Sequence, residues 1–291
     1  MAELAREHFF PVRDYDLAAT LTSGQAFRWQ LREGFWEGVV DQRWVRLQSR
    51  DDGISAEVAQ PIADWHWLAQ YLQVDIDLDA ILLSFPDDEP MRLSVTACRG
   101  LRLLRQDPWE SLASFIFSST KQIVQIQQIV ALVCERFGQR LLMPPGHAPV
   151  FGFPLPERLA ACSEMELREC KMGFRAPHLL RTAKMLVRGE VTLSSLHSRT
   201  VNEARNELLK LPGVGTKIAN CVLLFAYGFP TAFPVDVWVM KALRQMYFPR
   251  RRIRQKRLQQ FVGTHFGPYA GYAQQYLFHY TRMKGRSPKL G

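Results

Sequence analysis

The chain has 291 residues, of which 47% are hydrophobic, 22% charged and 11% aromatic. That mix suits a folded chain of one large or two modest domains and excludes a disordered, collagen-like or disulfide-stapled design. The net charge is +9, from 37 basic and 28 acidic residues, and it is unevenly spread. After Asp236 there is no Asp or Glu, while twelve basic residues follow, leaving 25 basic against 28 acidic residues before that point. Such asymmetry points to a polyanion partner, because each neutralised phosphate releases condensed counterions. A solvated basic face is the plainer alternative.

No apolar run approaches the roughly 20 residues needed to span a bilayer. Glu3, Arg6, Glu7 and Asp14 make the amino terminus unlike a signal or transit peptide. The expectation is a soluble intracellular protein. Its five cysteines, Cys98, Cys134, Cys162, Cys170 and Cys221, are odd in number and irregularly spaced. They suggest neither a disulfide framework nor a zinc or iron–sulfur site, so core packing is expected.

The first hundred residues read as strands. Ala26 to Gln30 alternates apolar and polar, and Gly34–Val40, Arg43–Ser49 and Gly53–Ala59 are separated by Asp41-Gln42 and Asp51-Asp52-Gly53, which fit hairpins. Trp65 to Gln73 reads as a short helix and Pro86 to Pro90 as a loop. From about Leu93 the apolar period becomes helical. Helices are predicted around Leu101–Ile116 and Ile123–Val133, then over Pro156–Ala161, Glu164–Met172, Pro177–Arg188, Thr200–Lys210 and Val237–Tyr247. The expected fold is α+β: an antiparallel β-sheet domain over 1–92, then a mainly α-helical domain over 93–291.

The chemistry concentrates after Leu208. A helix ends at Lys210, the turn Leu211-Pro212-Gly213-Val214-Gly215 follows, and a second helix starts near Thr216. Two glycines permit positive φ and close backbone approach. The second helix would then present unpaired N–H groups, a ready anion site. This is a helix-hairpin-helix, expected at about 203–226, and it grips phosphates without reading sequence. Lys217 falls in the first turn of the second helix, where the dipole disfavours a cation. An ordinary lysine near 10.4 is only about 0.1% neutral at pH 7.4, so use as a nucleophile requires a depressed pKa. Holding a phosphate is the other reading. Asp236, in Pro234-Val235-Asp236, precedes a predicted helix. It suits an N-cap, and equally a carboxylate that stabilises a cationic transition state.

This hairpin followed by Pro-Val-Asp resembles the helix-hairpin-helix–Gly/Pro–Asp superfamily of DNA glycosylases, and within it the 8-oxoguanine DNA glycosylase/AP lyases. Thr22-Ser23-Gly24-Gln25-Ala26-Phe27-Arg28-Trp29 is similar to the family's amino-terminal signature. Leu103 to Pro108, Ser114 to Ile116 with Ser118-Ser119, and Gly267 to Gln274 with Leu277-Phe278 match further segments in register.

The resemblance implies a two-lobed helical domain and a damaged guanine flipped from the duplex into a pocket. Lys217 would attack C1′ and form a Schiff base that undergoes β-elimination, with Asp236 stabilising the oxocarbenium-like state. The Gly24 carbonyl would accept the N7–H that distinguishes 8-oxoguanine from guanine. Cys221 and Phe278 would sandwich the base, Gln274 would bond its Watson–Crick edge, and Pro234 would complete the pocket. Gly213, Gly215 and Thr216 would hold a phosphate. Singly, Cys221 and Phe278 read as core residues, Gln274 as a surface residue and Gly24 as a turn glycine.

Departures from the family pattern lie on the expected DNA face. Thr120, Lys121 and Gln122 stand where the family has asparagines, one of which fills the gap left by the flipped base. Gln125 replaces an arginine that reads the orphan cytosine, while Arg175 matches the second such arginine. Weaker preference for cytosine opposite the lesion is expected. Phe174 replaces a wedge tyrosine, and Trp238 stands where a phosphate-contacting histidine is common.

The resemblance implies no organic cofactor and no metal held by side chains, although a backbone-bound monovalent cation at the hairpin is compatible with it. The expected partner is double-stranded DNA containing 8-oxoguanine, met by a monomer in a bacterial cytoplasm or nucleoid, or in a nucleus if eukaryotic. A glycosylase for alkylated purines is an alternative that Lys217 and the Gly24 signature disfavour. A noncatalytic DNA-binding protein is another, which would bind DNA and release no base.

Overall fold

A computed structural model describes residues 4–118, 121–249 and 255–286, with the side chains of Gln255 and Arg286 excepted. Thr120 and residues 250–254 lie outside it. The chain begins with a five-stranded antiparallel sheet: β1 (Ala5–Pro11), β2 (Gln30–Arg32), β3 (Phe35–Val40), β4 (Arg43–Arg50) and β5 (Gly53–Ile62). Their spatial order is β1-β5-β4-β3-β2. Between β3 and β4, Asp41 and Gln42 both take positive φ, 47° and 59°, the geometry of a two-residue primed turn. Val45, Leu47, Ile54, Ala56 and Val58 alternate onto the covered face, against Trp65, Leu68 and Leu72.

Sequence periodicity overstates the strand content of this region. Leu17–Thr22, Leu78–Leu83 and Glu89–Cys98 are helices. The first two span six residues each, too short for a helical period to register. The expected loop at Pro86–Pro90 already contains the start of the third. Asp88 caps it by accepting from Met91 N at 2.9 Å, and Pro90 lies within its first two positions, where a missing N–H costs nothing. Ala26 to Trp29 is not a strand, although Ala26, Phe27 and Trp29 are buried as their alternation suggests.

The rest is helical. Pro108–Phe117, Ile123–Phe137, Ala176–Val187, Val201–Leu209, Thr216–Val222, Val237–Met246, Gln255–His265 and Ala270–Arg286 are its main elements. The fold class is α+β, as expected. Glu164–Leu167 continues as a wide turn, Arg168–Met172, with a kink at Cys170 and Lys171. Two apolar interiors form, one beneath the sheet and a larger one among the helices, and they exchange residues. Leu104 packs with the sheet, whereas Ala19 and Phe27 pack with the helices. Each fully buried Leu or Phe contributes about 1.5–3 kcal/mol of transfer free energy.

Candidate active site

The hairpin is built from local signals. Thr200 and Glu203 form a capping box at the start of Val201–Leu209: Thr200 N donates to Glu203 Oε2 at 2.9 Å, and Glu203 N to Thr200 Oγ1 at 3.3 Å. In the turn only Gly213 has positive φ, at 80°. A Cβ there would also lie 2.9 Å from His178 Cβ. Gly215 instead has extended backbone, φ −99° and ψ 178°, and caps Thr216–Val222 with open space where a Cβ would stand. One shapes the turn, and the other leaves the amides beyond it uncovered. Thr182 Oγ1 donates to the Pro212 carbonyl at 3.3 Å, seating the hairpin on Ala176–Val187. That helix is entered through the turn Gly173–Arg175. Phe174 there is 56% exposed, and the Arg175 guanidinium lies 4.8 Å from its ring centroid. Arg175 Nε is buried without a hydrogen-bond partner.

Lys217 occupies the first turn of Thr216–Val222, and its Nζ lies 5.1 Å from the centroid of Phe115. Among the described residues no carboxylate comes within 4.0 Å of that amine. Cys221 stands one turn further along the same helix face. Burial pushes the Cys221 thiol up to about 11, with Asp236 adding to the rise and Lys217 opposing it. The group is therefore a thiol, not a thiolate, at neutral pH.

Asp236 caps Val237–Met246. Its Oδ1 accepts from Trp238 N at 2.9 Å and Val239 N at 2.8 Å, and Oδ2 accepts from no described group. The capping role occupies one oxygen and leaves the other for a second task. The helix dipole also favours a carboxylate here. Lys217 lines a cleft of about 800 Å³, and Asp236 opens on an adjoining groove. The two share Val235 and Met240 as a common wall.

The residues expected to receive the base are partly assembled. Gly24 has φ 81°, and a Cβ on it would lie 3.5 Å from Phe278 Cε1 and 2.7 Å from Ile123 Cδ1. Gln274 is buried with its Oε1 unpartnered, and Cys221 and Pro234 are buried. Trp238 is half-buried; a Cβ on Gly285 would lie 2.9 Å from its ring, and Lys241 Nζ stands 5.2 Å from its centroid. Gln122 caps Ile123–Phe137, and Gln125 Oε1 turns back to accept from Gln122 N at 2.9 Å. Thr120 lies outside the described residues.

Sequence reasoning missed a set of buried amides and one cation. Gln25, Asn220, Gln275 and Arg282 are each less than 9% exposed. Gln25 Nε2 donates to the Thr20 and Arg102 carbonyls, and its Oε1 accepts from Leu104 N at 2.8 Å. The available signal was polar residues spaced seven apart, Gln275 and Arg282, on one face of an apolar carboxy-terminal helix.

Residues 9–112 match the family model for the 8-oxoguanine DNA glycosylase N-terminal domain, and 113–264 the model for HhH-GPD superfamily base excision DNA repair proteins. The chain belongs to this family of base-excision DNA repair proteins. Among its relatives, the Arabidopsis thaliana N-glycosylase/DNA lyase OGG1 is 31% identical, over 93% of this chain and 79% of the relative. A probable N-glycosylase/DNA lyase of Methanothermobacter thermautotrophicus is 28% identical, over 96% and 97%. Among solved structures, the Clostridium acetobutylicum 8-oxoguanine glycosylase/lyase, in complex with duplex DNA carrying cytosine opposite 8-oxoguanine, superposes with a TM-score of 0.87. It is 31% identical and covers 96% of this chain and 98% of its own.

Proposed function

We propose that this chain excises 8-oxoguanine from duplex DNA and then cleaves the strand by β-elimination. Family membership supports the reaction class, and one observation carries the assignment of roles. The Lys217 amine, in the first turn of the helix that follows the hairpin, has no described carboxylate within 4.0 Å and stands one helical turn from the neutral thiol of Cys221. In the proposed reaction its lone pair bonds to C1′, and the C1′–N9 electron pair leaves with the base, which takes up a proton. The adduct loses a proton and opens the sugar ring to a protonated Schiff base. Removal of a C2′ proton then expels the 3′ phosphate. Asp236 stabilises the cationic sugar through the oxygen that the helix cap leaves free.

The Gly24 carbonyl is proposed to accept from N7–H, Cys221 and Phe278 to flank the base with Pro234 beside them, and Gln274 to meet its Watson–Crick edge through the unpartnered Oε1. Gly213, Gly215 and Thr216 would hold phosphate, with Trp238 nearby. Phe174, Arg175, Gln122 and Thr120 would fill and read the opened duplex. The enzyme is proposed to act as a monomer, in a bacterial cytoplasm or nucleoid, or in a nucleus if eukaryotic. No described helix is long and apolar enough to cross a membrane. The division into 1–92 and 93–291 is likewise a proposal, supported by the last strand ending at Ile62; the helix Glu89–Cys98 runs across it.

Borohydride trapping on a duplex carrying 8-oxoguanine opposite cytosine tests the proposal, with Lys217→Gln alongside. A covalent protein–DNA band that vanishes in the variant is expected. Free base released without a band would make water the nucleophile, and neither band nor base would remove 8-oxoguanine as the substrate.

A further inference from the structure

The turn that carries Gly24 is gripped one carbonyl at a time by side chains from distant parts of the chain. Arg282 Nη1 donates to the Thr22 carbonyl at 3.4 Å, and Gln275 Nε2 to the Ser23 carbonyl at 3.1 Å. Gln106 Nε2 donates to the Gln25 carbonyl at 2.8 Å. Between them, the Gly24 carbonyl accepts from no described group. Arg282 also reaches the pocket wall, with its guanidinium 5.9 Å from the Phe278 centroid and its Nη1 3.4 Å from where a Gly24 Cβ would stand.

A glycine with φ of 81° has wide conformational freedom, so its carbonyl direction is set by what holds the neighbouring peptide planes. Hydrogen bonds weaken steeply as their angle departs from linear. An acceptor free to swing would therefore distinguish poorly between an N7–H donor and the bare N7 lone pair of guanine. We infer that Gln275 and Arg282 are positioning residues for lesion recognition: they take the carbonyls of Ser23 and Thr22, aim that of Gly24 into the base pocket, and Arg282 keeps Phe278 beside it. This rests on the reading of Gly24 as the N7–H acceptor. The burial of both residues, Gln275 at 2% exposure and Arg282 at 8%, makes their donors costly to leave unpaired.

The test separates recognition from folding and from the Gly24 reading itself. Gln275→Met, Arg282→Met and Arg282→Lys are made in the full chain, each also combined with Lys217→Gln for equilibrium binding. Duplexes carry 8-oxoguanine, 7-deaza-8-oxoguanine, which lacks the N7–H, or guanine. Cleavage of a preformed abasic site, which needs no base recognition, is measured in parallel. The Lys217→Gln protein is expected to prefer 8-oxoguanine over the deaza analogue. Each Met variant should lower that preference about tenfold, the size of one net hydrogen bond, while Arg282→Lys recovers part of it. Abasic-site cleavage should stay within about threefold. Unchanged preference in the Met variants overturns the inference, as does a parallel loss of abasic-site cleavage, which marks a merely structural role. If the Lys217→Gln protein does not distinguish the analogue, the Gly24 reading has failed before positions 275 and 282 are touched, and the inference falls with it.

Discussion

Asn220 ties the helix that carries Lys217 to the loop that carries Asp236. Its Nδ2 donates to the Phe233 carbonyl at 3.0 Å, and its Oδ1 accepts from Arg205 Nε at 2.9 Å. Asn220 is only 8% exposed and Phe233 5%, so the Phe233 carbonyl is left without a partner if the amide is lost. Asn220→Leu should cost about 1–3 kcal/mol of stability for the polar groups left unpaired. It should also slow the single-turnover chemical step more than it weakens DNA affinity, because the loop bearing Asp236 is no longer pinned. Calorimetry and single-turnover kinetics on the variant check both parts; equal losses of rate and affinity would contradict the positional argument.

The two hairpin glycines should respond oppositely to the same substitution. Gly213→Ala meets both a left-handed backbone and the His178 side chain, and should lower stability by about 1–2 kcal/mol or more. Gly215→Ala meets neither. Its methyl would stand before the helix amides, so DNA affinity should fall while the melting temperature moves little, within the roughly 1 kcal/mol of an N-cap change. Melting curves and fluorescence titration with duplex DNA separate the two.

Glu110 gives the fold a pH dependence away from the proposed chemistry. Burial raises its carboxyl to about 7, although Arg28, with Nη1 3.6 Å away, opposes the rise. A folded value above the ordinary value of 4.5 means the stabilising contribution is complete below about 4.5 and is lost as pH rises through 7. Glu110→Gln, which keeps the shape and removes the ionisation, should gain melting temperature relative to wild type between pH 5 and about pH 8. A difference that stays constant across that range would refute the assignment.

Gln125 stands where the proposed reading expects an arginine that reads the base opposite the lesion. Its side chain closes the capping box with Gln122 and so turns toward its own helix start. With Arg175 the only one of the two expected cytosine readers present, one bidentate contact, worth about 1–3 kcal/mol, is missing. Excision of 8-oxoguanine opposite C, T, G and A should span a narrow range, within about tenfold. A steep preference for C would show that another group reads that base.

Much of the site was legible because its signals are local. The Pro212-Gly213 turn, Lys217 with Cys221 one helical turn later, and Asp236 ahead of an apolar helix are each set by a few neighbouring residues. The short helices at Leu17–Thr22 and Leu78–Leu83 were lost for the complementary reason that six residues hold too little periodicity. What escaped altogether were long-range polar contacts. The bonds from Gln275 to Ser23 and from Arg282 to Thr22 span 252 and 260 residues, and each polar residue taken singly looks like an ordinary position on a helix surface. Phe115 beneath the Lys217 amine is similar: its apolar character predicted burial, but not its neighbour.

The exchange of residues between the two interiors sets a limit on modularity. Leu104 fills the space under the sheet, while Ala19 and Phe27 fill space among the helices. The seam between the two family matches, at 112 and 113, is therefore a boundary of descent rather than of packing. A sheet lobe transplanted from a distant relative would arrive with the wrong plug for its neighbour's socket. The two lobes can drift apart in sequence only as a matched pair, and a graft that moves one without repacking the other should yield a protein with a void in each half.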